Sequence, residues 1–150
     1  MDESLDSFVQ RVQQEIDART GHDFGEPFRK RWTTLTHLGA PEDATVSGDL
    51  TGACGDRMEV FLRIEAETVR RAGFRTTGCA PSAVCAQVAC ELAEGKSLEL
   101  AACMESDDIL SVVPGLPEDH HHCAHLASRT VREAIRAHWQ QGCGEGPKPR

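Results

Sequence analysis

The 150-residue chain carries 24 acidic against 16 basic side chains, a formal charge of -8, which argues against nucleic acid and anionic membrane as partners, since both demand excess Lys and Arg. Five Phe, two Trp and no Tyr leave few rings for stacking on bases or sugars, and no apolar run reaches the roughly 20 residues of a membrane span. The length suits one domain with a real core, and an opening of Met1-Asp2-Glu3-Ser4 lacks the basic start of an export signal, so the expected location is the cytoplasm.

Leu5, Phe8, Val12 and Ile16 recur at helical spacing and Gly21 stands where such a helix stops. Packing onto the same domain is the expected use of this stripe, with a partner-binding helix as the other reading. Pro27 suits a first helical position, and Phe28, Trp32 and Leu35 form a second apolar stripe before a loop at Gly39 to Asp43. Thr45-Val46-Ser47 reads as a short strand running into Gly52-Ala53-Cys54-Gly55-Asp56. Met58, Val60, Leu62 and Ile64 alternate with Glu59, Phe61, Arg63 and Glu65, the period of a strand with one face on a core. A turn at Ala66 and Glu67 leads to a hairpin partner over Val69 to Thr77.

Pro81 follows Cys79 at the first turn of a helix in which Val84, Val88 and Leu92 repeat until Gly95. Ser97 is expected to cap a short helix running through Cys103, and Ser106 another over Asp107 to Val112. After Pro114 to Pro117 the last helix begins near His120 to Cys123 and carries Ala127, Val131, Ala134, Ile135 and His138 on one face. Gln140 to Arg150, rich in Gly and Pro, reads as a disordered tail. The domain plan is therefore an N-terminal helical extension over 1–40, a core domain over 41–139 and a tail over 140–150.

Seven cysteines in a chain with no export signal are expected to stay reduced, so thiolate chemistry is favoured over disulfides. In extended backbone, residues two apart point the same way, so Cys54 and Asp56 can face one object, and the flanking glycines let the chain approach it closely. A metal fits a soft sulfur beside a hard carboxylate. Cys79 sits near a helix start, where partial positive charge favours a thiolate, and Cys123 with His122 lies in the first turn of the last helix. Spacings of 25 and 44 residues between the three cysteines match no short zinc-finger signature.

Ala53-Cys54-Gly55-Asp56, Phe74-Arg75-Thr76-Thr77-Gly78-Cys79-Ala80, Glu94-Gly95-Lys96-Ser97-Leu98, Asp107-Asp108-Ile109 and His122-Cys123-Ala124-His125-Leu126-Ala127 occur in that order over residues 45–139. With the hairpin between the first two, they resemble the IscU/NifU-type iron-sulfur cluster assembly scaffolds. The resemblance implies an α+β fold, a small and mainly antiparallel three-stranded sheet packed with helices, and a long C-terminal helix. It implies a non-enzymatic scaffold that builds a labile [2Fe-2S] cluster with sulfur from a cysteine desulfurase and passes it to acceptor apo-proteins. Cys54, Cys79 and Cys123 then match cluster ligands, Asp56 a ligand or lability determinant, and His122 an alternate ligand. Cys123 matches the acceptor of persulfide sulfur, and zinc is the alternative occupant to iron or a cluster.

The chain departs from the family in places. The chaperone-recognition motif Leu-Pro-Pro-Val-Lys stands here as Leu116-Pro117-Glu118-Asp119-His120, and its acidic character argues against delivery through an Hsp70-type chaperone. The basic residue before His-Cys is His121, and the small polar segment after the second ligand is Pro81-Ser82-Ala83-Val84-Cys85. The N-terminal region is longer than the usual family start. A zinc-containing, SufU-like persulfide relay is the alternative function, though those relatives carry an insertion between the second and third cysteines that is not evident here. A closed structural or regulatory metal module is a third reading. Cys85, Cys90 and Cys103 are expected in the core and Cys143 as an exposed thiol. His120, His121 and His125 are expected at a solvated helix start rather than in a nickel or zinc store.

Overall fold

The computed structural model describes residues 5, 7–9, 11, 24–53 and 55–145, the final four by backbone alone. In chain order the elements are helix α1 (Glu26–Thr33), strands β1 (Val46–Thr51), β2 (Arg57–Glu65) and β3 (Thr68–Thr76), then helices α2 (Ala80–Ala93), α3 (Leu98–Ala102) and α4 (Ser106–Val112). A 3₁₀ turn (Glu118–His120) leads into the long helix α5 (His121–Glu145). The strands form one antiparallel sheet in the order β1-β2-β3, so the fold is α+β. Among the described residues, no helix is long and apolar enough to cross a membrane.

The sheet follows from its side-chain period. Met58, Val60, Leu62 and Ile64 of β2 are buried while their alternates lie nearer solvent, which is what a strand with one wet face requires. Ala66 and Glu67, with φ of 52° and 60°, make a two-residue turn between the paired Glu65 and Thr68, and left-handed backbone at both turn positions matches the twist of the flanking strands. β1 is longer than the three residues expected, because its pairing with β2 continues to Thr51 opposite Arg57.

Two helices cover the dry face. α2 is buried at every position from Ala80 to Cys90. Its Val84, Val88 and Leu92 repeat marks one side only, but Ala80, Ala83, Ala86 and Ala89 keep the other sides thin enough to be enclosed, as in any helix apolar all round. α5 lies against β1 so closely that a Cβ on Gly48 would stand 2.5 Å from the backbone nitrogen of Ala134.

The region before the sheet is tied to α2. Phe28 and Trp32 of α1 are buried, with Phe24 edge-on to Phe28 at 4.9 Å between ring centroids and Phe8 edge-on to Trp32 at 6.5 Å. Phe8 thus faces the core of its own chain, whereas Leu5 of the same stripe is exposed; Val12, Ile16 and Gly21 lie outside the described residues. Arg31 donates to the Glu91 carboxylate at 2.9, 3.1 and 3.2 Å. The buried Gln87 accepts from the His37 backbone at 2.9 Å and donates to Glu91 at 2.9 Å, while the His37 ring meets Glu94 at 2.9 Å. Beyond it, Leu38, just ahead of the loop expected at Gly39 to Asp43, forms a parallel bridge with Phe74 and so occupies the outer edge of β3.

Two helix boundaries and the burial of one cysteine also differ from the sequence reading. α4 starts at Ser106 itself, with Glu105 in the capping position, its backbone N-H donating to the Asp108 carboxylate at 2.9 Å. α5 continues to Glu145 instead of ending before a tail at Gln140; an established helix propagates over residues that would not start one. Cys103 is exposed rather than in the core, because it follows the last turn of the five-residue α3. Ser97 caps α3 as expected, accepting from the Leu100 N-H at 3.3 Å.

Gly48→Ala is expected to destabilise the fold by about 3 kcal/mol, the upper range for overpacking against a backbone that must shift; urea unfolding reads this, and a change near zero would mean that α5 does not sit as described. Burial, reinforced by the carboxylates of Glu94 and Glu91, pushes the Cys90 thiol up. Below about pH 8.5 the thiol is protonated in both folded and unfolded chains, but above it only the unfolded chain ionises. Stability is therefore expected to fall above about pH 8.5, by up to about 1.4 kcal/mol per pH unit for each withheld proton, and Cys90→Ala should make that fall shallower. An unchanged slope would show that the thiol is not sealed.

Candidate metal centre

Three chain segments arrive at one end of the sheet. The loop between β1 and β2 is closed by Gly52 N-H donating to Asp56 O at 2.8 Å and Gly55 N-H donating to Gly52 O at 2.9 Å, which sets Asp56 immediately before β2. The end of β3 delivers Gly78 and Cys79, the latter in extended backbone as the N-cap of α2. The first turn of α5 delivers His122 and Cys123. Cys54 lies outside the described residues.

The segments meet through Ser82, which is 0% exposed. Its hydroxyl donates to Asp56 Oδ2 at 3.4 Å and stands 3.3 Å from Cys123 Sγ. Gly78 makes room for this, because a Cβ there would lie 2.5 Å from Ser82 Oγ and 2.8 Å from Asp56 Oδ2. His122 is exposed with Nε2 at 3.7 Å from Cys123 Sγ, which is itself 1% exposed. Cys79 is half-buried. Burial pushes the Cys85 thiol far up, and the neighbouring sulfurs of Cys123 and Cys79 push the same way. Cys85 is therefore a protonated thiol at the back of the site.

Asp56, Cys123 and His122 are thus drawn together. The remaining histidines are engaged elsewhere: His121 Nε2 lies 3.1 Å from the Leu116 carbonyl, His125 Nε2 lies 3.5 Å from Ser106 Oγ, and the His120 ring lies 5.9 Å from that of Phe24. Cys85 and Cys90 are buried as expected; the side chain of Cys143 lies outside the described residues. Among the described residues, no three His, Cys, Asp or Glu side chains already form a group that could hold a metal ion. The donor chemistry nonetheless suits one: thiol sulfur for soft metals, with carboxylate and imidazole as weaker partners.

Sequence reasoning passed over Ser82. Its signal was its place three residues after Cys79, on the same face of a helix one turn on.

Residues 30–143 match the family model of the NifU-like N terminal domain. The chain is 32% identical over 100 residues to the iron-sulfur cluster assembly scaffold protein IscU 1 of Archaeoglobus fulgidus, a match covering 66% of this chain and 65% of that protein. It is 31% identical over 96 residues to the Escherichia coli scaffold protein IscU, covering 62% of this chain and 74% of that one. Among solved structures, it resembles the N-terminal NifU-like protein of Brucella abortus with a TM-score of 0.64 at 12% identity, over 79% of this chain and 95% of that one. A scaffold protein for the SUF system from Fervidobacterium islandicum gives a TM-score of 0.62 at 16% identity, over 74% of this chain and 95% of that one. At such identities the structural likeness speaks for the fold, and the family rests on the sequence match. This chain belongs to the NifU-like N-terminal domain family.

Proposed function

We propose that this chain is a scaffold on which a labile [2Fe-2S] cluster is assembled from iron and desulfurase-derived sulfur and then handed to acceptor apo-proteins. The observation that carries the reading is the grouping of Cys123, Ser82 and Asp56 where three segments meet, within a family whose curated relatives are named as iron-sulfur assembly scaffolds.

Each residue has a task that its chemistry suits. Cys123 accepts sulfur: its thiolate attacks the outer sulfur of the donor's persulfide, the S-S bond breaks, and the desulfurase cysteine leaves as thiolate. His122, exposed and within 3.7 Å of that sulfur, is the side chain that an arriving donor meets first. Cys54, Cys79 and Cys123 hold iron as thiolates, which bind Fe-S iron well. Asp56 supplies the weaker oxygen ligand that lets the cargo leave, and zinc can occupy the same donors in place of iron. The partners are a cysteine desulfurase and acceptor apo-proteins. Glu118 and Asp119 are exposed on the 3₁₀ turn, which supports partners other than the specialised Hsp70-type chaperone.

Anaerobic reconstitution with iron, cysteine and a desulfurase should give a coloured protein with visible cluster absorption, and Cys123→Ser should abolish desulfurase-dependent colour. A colourless protein that keeps one zinc and still takes up sulfur would overturn the scaffold reading in favour of a sulfur relay. Asp56→Ala should keep its cluster longer and slow transfer to an apo-ferredoxin by about tenfold, the lower end of effects from altered metal surroundings. Transfer as fast as wild type would remove Asp56 from the release step.

A further inference from the structure

Ser82 is a fully buried hydroxyl with a carboxylate on one side and a sulfur on the other. It lies in the first turn of α2, within the run buried from Ala80 to Cys90, and its neighbours are Asp56 Oδ2 at 3.4 Å and Cys123 Sγ at 3.3 Å. A hydroxyl has one proton to donate and can accept others. While Cys123 is a thiol, its S-H can donate to Ser82 Oγ and Ser82 can donate to Asp56, a chain that satisfies all three buried or half-buried groups. Ser82 has only one proton to give, so whatever changes its bond to one of these neighbours changes its bond to the other.

We propose that Ser82 is a positioning residue that couples Asp56 to Cys123: one buried hydroxyl within reach of both ties the carboxylate and the sulfur to each other before any ion arrives. The inference rests on the proposed scaffold function only for the identity of the ion, since the coupling itself belongs to the metal-free chain. Gly78 is part of the device, because any side chain there would occupy the space in which the two oxygens approach.

The test is a double-mutant cycle on the reduced, metal-free full chain at fixed pH. Iodoacetamide labelling of Cys123 is followed by peptide mass spectrometry in wild type, Ser82→Ala, Asp56→Asn and the double variant, and thermal melts check folding. Ser82→Ala should raise the Cys123 labelling rate about fivefold, because the sulfur loses a buried hydrogen-bond partner. Asp56→Asn should change that rate about fivefold when Ser82 is present but less than about twofold when it is absent, which is the mark of coupling through a shared group. Ser82→Thr, which keeps the hydroxyl, should restore the dependence on Asp56. If Ser82→Ala does not fold, Ser82→Cys supplies the second background.

Equal effects of Asp56→Asn in both backgrounds would mean that the carboxylate acts on the sulfur through space, and the proposal would fall. Labelling unchanged by Ser82→Ala would also overturn it. Anaerobic titration with zinc alone gives a second reading: Ser82→Ala should alter affinity in wild type and leave it unchanged in Asp56→Ala. Neither measurement needs a cluster, so a chain that shows the coupling yet fails to build one would refute the scaffold function and uphold this inference.

Discussion

The enclosure of α2 governs the molecule. With the sheet on one side, α5 on another and α1 at its far end, the helix has no exposed position from Ala80 to Cys90, so neither its axis nor its rotation can drift without opening the core. Dense packing of this kind converts sequence position into spatial position. It fixes Cys79 at the helix start, Ser82 one turn further and Cys85 behind them, and it presents all three to the end of the sheet where the loop after β1 and the start of α5 arrive. The close approach of α5 to Gly48 performs the same service for Cys123 from the opposite side.

The site is thus a polar cluster at the edge of an apolar interior. Ser82 and Cys123 are sealed, Asp56 and Cys79 are half-covered, and His122 is open to water. On the proposed function, that gradient would shelter what Cys123 holds while leaving His122 to face the solvent. It also separates two kinds of cysteine by chemistry: Cys85 and Cys90 are kept as thiols by burial, whereas Cys79 stands at a helix start that favours negative charge.

Much of this was legible in the chain itself. The period of two in Met58 to Glu65, the two-residue connection at Ala66 and Glu67, and Pro81 after a strand each report a local physical need, and the structure meets each one locally. The order of motifs around Cys54, Cys79 and Cys123 pointed to the family before any coordinates. What stayed hidden depends on partners distant in sequence. Ser82 matters because Asp56 and Cys123 arrive beside it, Cys103 is exposed because α3 is short, and Gly48 is needed because Ala134 lies against it. α5 outruns its expected end for a different reason, since composition describes residues singly and a helix lengthens cooperatively.

The latch between the region before the sheet and α2 binds residues 24–40 to the domain they precede. Gln87, Glu91 and Glu94 are turned towards Arg31 and His37, and Phe74 shares its outward backbone groups with residues 37 and 39. A chain cut at residue 41 would keep every candidate metal ligand, yet take from Glu91, Glu94 and the sealed Gln87 their partners before the sheet and bare the rim of β3. The stretch from Phe24 to Ala40 is then no appendage but a wall of the same room.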